Sequence, residues 1–509
     1  MRTFEWLLLA LVAGRILSML VRGEAGAVWR GVFAVAGGGA WVAHLALEGP
    51  RWSMGPTYLA VVVAVMLLPW ERPHAKAVLA RLGANRRRRR PRPWGRTLLW
   101  AVLWLPTAAV PVLLPVPALP PPTGPWAVGT VSFALALPDV ARADGTIETG
   151  RRTMARLWYP AAANVSAGAD PSAGADPPRA ADPPPVADAP WIERADVVLP
   201  IMAGRGGLPA FALGHLALVR THATWAAALA PAPDPGGWPL VTFAHGLGGF
   251  RSQNTFLAED LASHGVVVAA LDHPGDALGT TLPDGSTLPY VGLPPSGAPG
   301  YVDAVVALGA RWAADSLALL RTLRDLLPAG DLAPFAGALD LERVVAAGHS
   351  TGGGVAVEVC HAWDGCVAAL ALDPWWGPVD PARLQAGSER PLVVIASDPA
   401  LAYFSPANGD RFVRFVNASV APVLAFVLEG GGHRDLSDTM HLAPSWLSLR
   451  FGHSVGPVDK DAAMAALRSV AWTWVAAASE GRIAEGMAAV EAAAGAPLRF
   501  ERASAEGVR

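Results

Sequence analysis

The pentapeptide Gly348-His-Ser-Thr-Gly352, which has the form G-x-S-x-G, constrains this chain more than any other stretch. The apolar run Val344–Ala347 before it predicts a buried strand, and the stretch Val355–Cys360 after it is compatible with a helix. In a strand, sharp turn and helix, the glycines let strand and helix approach closely, and the turn exposes the serine hydroxyl. The sequence therefore predicts a catalytic nucleophile, Ser350. Because the chain has 53 glycines, a chance match is the alternative, and the prediction depends on partners for the serine.

The base for this serine is sought among histidines that follow apolar strands. A serine hydroxyl is a weak nucleophile unless an imidazole takes its proton and a carboxylate fixes that imidazole. His433 follows the apolar run Pro422–Leu428 in a glycine-rich loop, and we predict that it is the base. His273 lies at another predicted strand end and is the main rival, although it precedes the serine in the chain.

Two aspartates compete for the role of the acid. Asp373 ends the apolar strand that follows the serine motif, and Asp398 ends the next strand. Since either loop could reach His433, the residues alone leave this choice open. With either acid, the chain order is Ser…Asp…His, which is the order of the α/β-hydrolases.

A third requirement is a pair of backbone N–H groups that hold the oxyanion. We predict that one belongs to Thr351, the residue after the nucleophile. The other is predicted at Leu247, in the loop His245-Gly-Leu-Gly248, because the glycines let the backbone close on a carbonyl. Taken alone, this loop would be read as an ordinary glycine turn.

The pattern from Pro239 onward predicts an α/β-hydrolase fold, with a mostly parallel sheet and helices on both faces. Continuous apolar strands that alternate with helices indicate a sheet covered on both faces, with reactive groups beyond the carboxyl ends of its strands. The predicted strands, two of which precede Pro239, are Val128–Leu135, Thr153–Pro160, Leu240–Ala244, Val266–Leu271, Val344–Ala347, Cys366–Leu372, Pro391–Ala396 and Pro422–Leu428. The predicted helices are Asn254–His264, Val302–Leu327 and residues 461–479.

The first 120 residues are predicted to be a transmembrane region of about four helices. The apolar stretches are residues 6–21, 28–47, 54–70 and 97–117, each near the roughly 20 residues that cross a bilayer. The first stretch has little positive charge before it and three more follow, which argues against a signal peptide. The arginine run Arg86–Arg90 between the third and fourth stretches is expected on the cytoplasmic side. We therefore predict an integral membrane protein, of the bacterial inner membrane, with an extracytoplasmic catalytic domain.

Composition excludes several other classes. The net charge of −2 gives no indication of a nucleic-acid partner, and no spacing of cysteine and histidine indicates a metal site. Cys360 and Cys366 are either one local disulfide or two free thiols. We predict a catalytic domain at 126–480 with a Pro/Ala-rich insert at 161–190, followed by a tail at 481–509, and no cofactor.

Four stretches resemble the platelet-activating-factor acetylhydrolase family, which includes the plasma and intracellular type II enzymes. They are Phe243–Arg251, Asp260–Ala270, Gly348–Gly353 and Ala371–Trp375. The resemblance implies an α/β-hydrolase that needs no metal and cleaves short or oxidised acyl chains from phospholipids. It also implies the triad Ser350, Asp373 and His433, with oxyanion donors at Leu247 and Thr351, and so favours Asp373 over Asp398. The sequence departs from the family at Thr351, where the family has a bulkier aromatic residue.

The expected function is thus hydrolysis of carboxylic esters by a membrane-anchored serine hydrolase, with a phospholipid or short-chain acyl ester as its substrate. Phe250, Trp375 and Trp376 are predicted to line an apolar substrate pocket; the alternative is that they are ordinary core aromatics. A general carboxylesterase or polyester hydrolase of the cutinase or dienelactone-hydrolase kind is the second interpretation. A catalytically inactive binding protein that keeps the fold is the third.

Overall fold

The computed structural model describes residues 2–21, 23–68, 93–141, 146–162, 188–326, 330, 332–401, 403–442 and 454–501. The chain divides into two compact units. The first comprises Met1–Pro117 with Ala203–Leu218, and the second comprises Ala118–Met202 with Val219–Arg509.

The described part of the first unit contains four apolar helices, one near each predicted span. They are α1 (Thr3–Leu17), α2 (Gly23–Leu47), α3 (Gly55–Met66) and α4 (Pro93–Leu113). Leu8, Val61 and Trp104 pack between them, while Leu59 and Leu98 are exposed, so apolar side chains lie both inside and outside the bundle. This pattern is typical of a bundle that faces lipid or another apolar surface.

Two stretches of this unit, Thr3–Leu20 and Ala25–Leu47, are long and apolar enough to cross a membrane by length and composition. Trp52–Met66 and Thr97–Leu113 are shorter apolar helices. The four-span membrane array therefore stays a prediction. The arginine run 86–90, on which the predicted orientation depends, lies outside the described residues.

The second unit contains an eleven-stranded sheet with a parallel centre, which agrees with the predicted α/β-hydrolase fold. Its order is β15-β14-β13-β12-β11-β7-β8-β4-β1-β6-β5. The strands of this sheet are β1 (Ala127–Ala136), β4 (Arg152–Ala161), β5 (Asp188–Pro190), β6 (Arg220–Trp225), β7 (Trp238–Ala244), β8 (Val267–Leu271), β11 (Leu339–His349), β12 (Cys366–Leu372), β13 (Leu392–Ser397), β14 (Val423–Leu428) and β15 (Leu498–Glu501). The consecutive strands from β8 through β7, β11, β12 and β13 to β14 pair in parallel, and β4 and β15 join them antiparallel.

Two short ladders lie outside this sheet. One pairs β2 (Val140–Ala141) with β3 (Ile147–Glu148), and the other pairs β9 (Gly279–Thr281) with β10 (Thr287–Pro289). The second ladder falls within residues 274–300, a stretch rich in glycine and proline.

Helices cover both faces of the sheet. They are α5 (Ala195–Arg205), α6 (Thr255–Ser263), α7 (Tyr301–Arg324), α8 (Thr351–Ala362), α9 (Pro381–Ala386), α10 (Pro406–Ala418), α11 (Thr439–Leu442), α12 (Lys460–Ser479) and α13 (Ile483–Ala493). α7, α8 and α10 pack on one face of the sheet, and α6, α12 and α13 pack on the other.

The central strands are apolar at every position because both of their faces are buried. In β11, Val344 and Ala346 belong to one core cluster, whereas Val345 and Ala347 belong to the other. Side chains alternate between the two faces of a strand. A continuous apolar run is therefore what a strand covered on both faces requires, and this is why such runs predicted the central strands correctly.

One predicted boundary is wrong. Residues 481–509 are not simply a tail, because they contain α13 and β15, and β15 pairs with β14 antiparallel. Leu498 is buried in the second core cluster, and the Phe500 ring packs 5.2 Å from that of Phe426. In the predicted insert 161–190, Ala161 ends β4 and Asp188–Pro190 forms β5, while residues 163–187 lie outside the described residues.

Cys360 and Cys366, whose pairing the sequence left open, form a disulfide. Cys360 lies in α8 and Cys366 begins β12, and both are buried. The bond therefore closes the connection between the helix that follows Ser350 and the strand that leads to Asp373.

We expect replacement of both cysteines by alanine to lower the free energy of unfolding by about 2 kcal/mol, because a closed loop of this length restricts the unfolded chain by roughly that amount. Urea denaturation of the detergent-solubilised full chain, oxidised and reduced, would measure it. An unfolding midpoint of the double variant equal to that of the oxidised wild type would contradict the prediction.

Candidate active site

Ser350 lies at the turn between β11 and α8, with φ of 58° and ψ of −119°. A non-glycine residue in such a conformation costs about 1–3 kcal/mol and persists only where its surroundings hold it. Here the Ser350 N–H donates to the Leu372 carbonyl (2.9 Å), and its own carbonyl accepts from the N–H groups of Trp375 (2.8 Å) and Gly353 (3.0 Å). These bonds hold the strained turn against the neighbouring strand end.

The glycines on either side of Ser350 are sterically required. A Cβ on Gly348 would lie 2.2 Å from the Gly352 carbonyl oxygen, and one on Gly352 would lie 2.0 Å from the Ala244 carbonyl oxygen. Both contacts are with backbone atoms, which cannot move aside as a side chain could. The motif therefore has glycines because β7, β11 and α8 approach at this point without room for a side chain.

The predicted base and acid are in direct contact. His433 Nδ1 donates to Asp373 Oδ2 at 2.6 Å, and Asp373 also accepts from the Ser397 N–H (3.0 Å) and the Ser397 hydroxyl (2.9 Å). Burial alone would raise the pKa of Asp373, but the bond to His433, the charge of that imidazole and the Ser397 donors lower it. An ionised Asp373 fixes the His433 tautomer that leaves Nε2 free to take a proton.

The rival residues occupy other positions. Asp398 accepts from the N–H groups of Ala400 and Gly430, each at 2.8 Å, and so caps loops. His273 is fully buried, stacks on Trp312 with 3.9 Å between ring centroids, and has Nδ1 3.2 Å from Asp315 Oδ2. Its burial also lowers its pKa. Neither residue is placed as the triad requires.

The His433 loop lies against the serine turn. The ring of His349, the residue before Ser350, is 4.5 Å from the His433 ring, and His349 Nε2 donates to the His433 carbonyl oxygen at 2.9 Å. Ser350 and His433 are both more than 90% buried. The structure therefore brings the three predicted triad residues into one site.

The predicted oxyanion loop also borders Ser350. A Cβ on Gly246 would lie 3.1 Å from the Ser350 Cβ, so the Gly246–Leu247 backbone passes directly beside the nucleophile. Thr351 is the first residue of α8, and the first N–H groups of a helix have no partner within the helix. The two segments predicted to supply the oxyanion donors therefore both border Ser350, and the donor roles of Leu247 and Thr351 stay predictions.

The structure adds an aromatic wall that sequence reasoning missed. The Tyr403 ring stacks on His433 at 4.3 Å and 4°, and the Phe404 ring meets His433 edge-on at 5.0 Å. Trp375 stacks with Phe404 at 6.5 Å. The only signal in the sequence was an aromatic pair between a strand end and a helix, which is too common to identify a site.

The three residues that were predicted to line the substrate pocket lie in different surroundings. Trp376 is 2% exposed and packs against Phe412 and Phe415, so it is a core residue and offers no surface to a substrate. Phe250, which is partly buried, packs edge-on against Trp191 at 5.4 Å. Of the three, Trp375 is the one that joins the wall beside His433.

Comparisons with known proteins relate this chain to an enzyme family. The sequence model of "Platelet-activating factor acetylhydrolase, isoform II" matches residues 186–282 and 324–476. The platelet-activating factor acetylhydrolase of Cavia porcellus is 24% identical over 253 residues, which are 45% of this chain and 54% of the relative. That of Canis lupus familiaris is 28% identical over 198 residues, which are 35% and 44%. The chain is related to the platelet-activating factor acetylhydrolase family.

The matched ranges contain Leu247, Ser350, Asp373 and His433. The chain spans about half the length of these curated relatives or less. Among solved structures, a ferulic acid esterase from Streptomyces cinnamoneus aligns with a TM-score of 0.50 and 26% identity, over 72% of this chain and 93% of the esterase. Sequence and structure therefore both relate the second unit to ester-cleaving enzymes.

We expect Asp373→Asn to lower kcat on a soluble ester by about 10⁴-fold, because an amide no longer fixes the His433 tautomer. Asp398→Asn is the matched control and should change kcat by about twofold or less, since it removes charge only from a loop cap. Initial rates of both purified variants would measure this. Equal losses in the two variants would contradict the assignment of Asp373.

Proposed function

We propose that this chain is a serine hydrolase of carboxylic esters that acts through an acyl-enzyme. The observation that carries the proposal is the 2.6 Å bond between His433 and Asp373 beside a strained serine turn. Such a pair can accept the serine proton and stabilise the resulting imidazolium. The relationship to acetylhydrolases and to an esterase supports the same chemistry.

In this mechanism Ser350 Oγ attacks the acyl carbonyl carbon while His433 Nε2 takes the hydroxyl proton. The carbonyl oxygen becomes an oxyanion, held by the N–H groups of Leu247 and Thr351. Collapse of this intermediate breaks the ester bond, and His433 gives its proton to the leaving alcohol. Water, deprotonated by His433, then attacks the acyl-enzyme and releases the acid.

The aromatic wall of Trp375, Tyr403 and Phe404 supports an apolar acyl or alcohol group. Tyr403 is 54% exposed although it stacks on a buried catalytic histidine, so its ring separates that histidine from solvent. An acyl chain laid along these rings would bury apolar surface worth roughly 25 cal/mol per Å². A phospholipid or short-chain acyl ester is the substrate class that we propose.

We also propose that the chain is membrane-anchored and that its catalytic domain is extracytoplasmic. The apolar helices of the first unit support the anchor. The buried Cys360–Cys366 disulfide supports an oxidising compartment, because disulfides are rare in the cytosol. In the same unit as the helices, Trp52 packs edge-on against Phe211 at 5.2 Å and both are exposed, as is typical of aromatic residues at a membrane interface.

A general carboxylesterase is the second candidate function. The observation that favours it is the structural match to a ferulic acid esterase over 93% of that chain. Activity on p-nitrophenyl esters of increasing acyl length, set beside activity on phospholipid vesicles, separates the two candidates. Hydrolysis of the soluble esters with none of the vesicles would favour the general carboxylesterase.

We expect a fluorophosphonate probe to label the wild-type chain covalently and Ser350→Ala not at all, since only an activated serine reacts with the phosphorus atom. Fluorescence of the labelled chain after denaturing electrophoresis would measure this. A matched control is Ser405→Ala, which removes the exposed serine that precedes α10. The absence of labelling in the wild type would instead favour an inactive binding protein.

A further inference from the structure

A continuous chain of hydrogen bonds joins the His433 loop to the oxyanion loop and passes behind Ser350. His349 Nε2 donates to the His433 carbonyl oxygen at 2.9 Å. Gln253 Nε2 lies 2.9 Å from His349 Nδ1, and Gln253 Oε1 accepts from the Gly246 N–H at 3.1 Å. Three segments that are distant in sequence, residues 246–253, the serine turn and the His433 loop, therefore meet through the side chains of Gln253 and His349.

The direction of every proton in this chain is determined. A carbonyl oxygen only accepts, so His349 Nε2 carries the hydrogen that it gives to His433. Burial and the neighbouring imidazole of His433 lower the pKa of His349 to about 3, which keeps the ring neutral. The Nδ1 of a neutral ring with a protonated Nε2 can only accept, and the Gln253 amide is therefore oriented with nitrogen toward His349 and oxygen toward Gly246.

Gly246 precedes Leu247, the proposed oxyanion donor, and both of its backbone polar groups are held by hydrogen bonds. The Gly246 N–H is held by Gln253, and the Gly246 carbonyl oxygen accepts from His245 Nδ1 and the Gly249 N–H, each at 2.7 Å. In a planar trans peptide, the carbonyl of Gly246 and the N–H of Leu247 point in opposite directions. Because both polar groups of Gly246 are held, the direction of the Leu247 N–H is held as well.

The oxyanion loop packs closely against the serine turn and against Gln253. A Cβ on Gly246 would lie 3.2 Å from His349 Nδ1 and 3.1 Å from the Ser350 Cβ. A Cβ on Gly249 would lie 2.0 Å from Gln253 Oε1. The Gln253 amide thus lies between the oxyanion loop and His349. Its oxygen accepts from the Gly246 N–H, and its nitrogen donates to His349 Nδ1.

We propose that Gln253 and His349 are positioning residues that hold the oxyanion donor Leu247 in register with the base His433. Neither residue touches the reacting atoms. We call the hydrogen-bonded chain of His349 and Gln253 the relay. It couples the position of the His433 loop to that of the oxyanion loop, so that proton transfer and oxyanion stabilisation occur at one fixed geometry. This inference rests on the proposed esterase function and adds two residues to its machinery.

The test uses Gln253→Leu in the detergent-solubilised full chain with p-nitrophenyl butyrate. This change removes the amide's bonds to Gly246 and His349 together with its 3.2 Å bond to Asn254 Oδ1. We expect kcat to fall by about 10- to 100-fold with little change in KM, since loss of one oxyanion donor costs 10²–10³ and a misdirected donor costs less. Affinity for a trifluoromethyl ketone, whose adduct places an oxyanion in the same position, should fall in parallel. Gln385→Leu, at an exposed position of α9, is the matched control and should leave kcat unchanged.

Gln253→Glu gives a second readout that a merely structural role would not produce. One carboxyl oxygen of the glutamate still accepts from the Gly246 N–H. The other can bond to His349 Nδ1 only if a proton lies between the two atoms. Loss of that proton places two acceptors face to face, so the kcat ratio of Gln253→Glu to wild type should fall as pH rises. This readout also decides the question if Gln253→Leu does not fold.

The outcomes separate the two proposals. An active wild type with unchanged kcat in Gln253→Leu, or a pH-independent ratio for Gln253→Glu, would overturn the relay alone. A loss confined to KM would overturn it as well. A wild type that hydrolyses no ester would remove the proposed function and the relay together.

Discussion

The close approach of β7, β11 and α8 at Gly348 and Gly352 is the constraint on which the rest of the site depends. A Cβ on Gly348 would lie 2.2 Å from one backbone carbonyl oxygen, and a Cβ on Gly352 would lie 2.0 Å from another. Between these two glycines the chain turns at Ser350 with a positive φ. The same turn places Thr351 at the start of a helix and the His349 ring beside that of His433. The proposed nucleophile, one proposed oxyanion donor and the proposed relay therefore all lie at this one close approach.

The central sheet could be predicted from sequence because its strands are buried on both faces. Val344–Ala347 has no polar position, as is expected of a strand that is covered on both faces, and the glycine-flanked serine that follows it supports a strand. The C-terminal strand β15 could not be predicted in this way. Leu498 and Phe500 give it an apolar position on either side of Arg499, but four residues are too few to show a period.

The triad followed from strand ends, whereas the choice between Asp373 and Asp398 did not follow from the residues alone. Both aspartates end apolar strands, and only the folded loops show which carboxylate meets the imidazole. Trp376 was misassigned for a related reason. Adjacent aromatic residues point in different directions, and here Trp375 joins the wall beside His433 while Trp376 packs into the core.

The central claim, an acyl-enzyme on Ser350, is tested most directly by trapping that intermediate. The full chain would be mixed with excess p-nitrophenyl ester, quenched in acid within the first turnover, digested and analysed by mass spectrometry. We expect the peptide containing Ser350 to gain the mass of the acyl group, with the bond located on the serine oxygen. Ester turnover with no acyl group on Ser350, or with the acyl group on another residue, would contradict it.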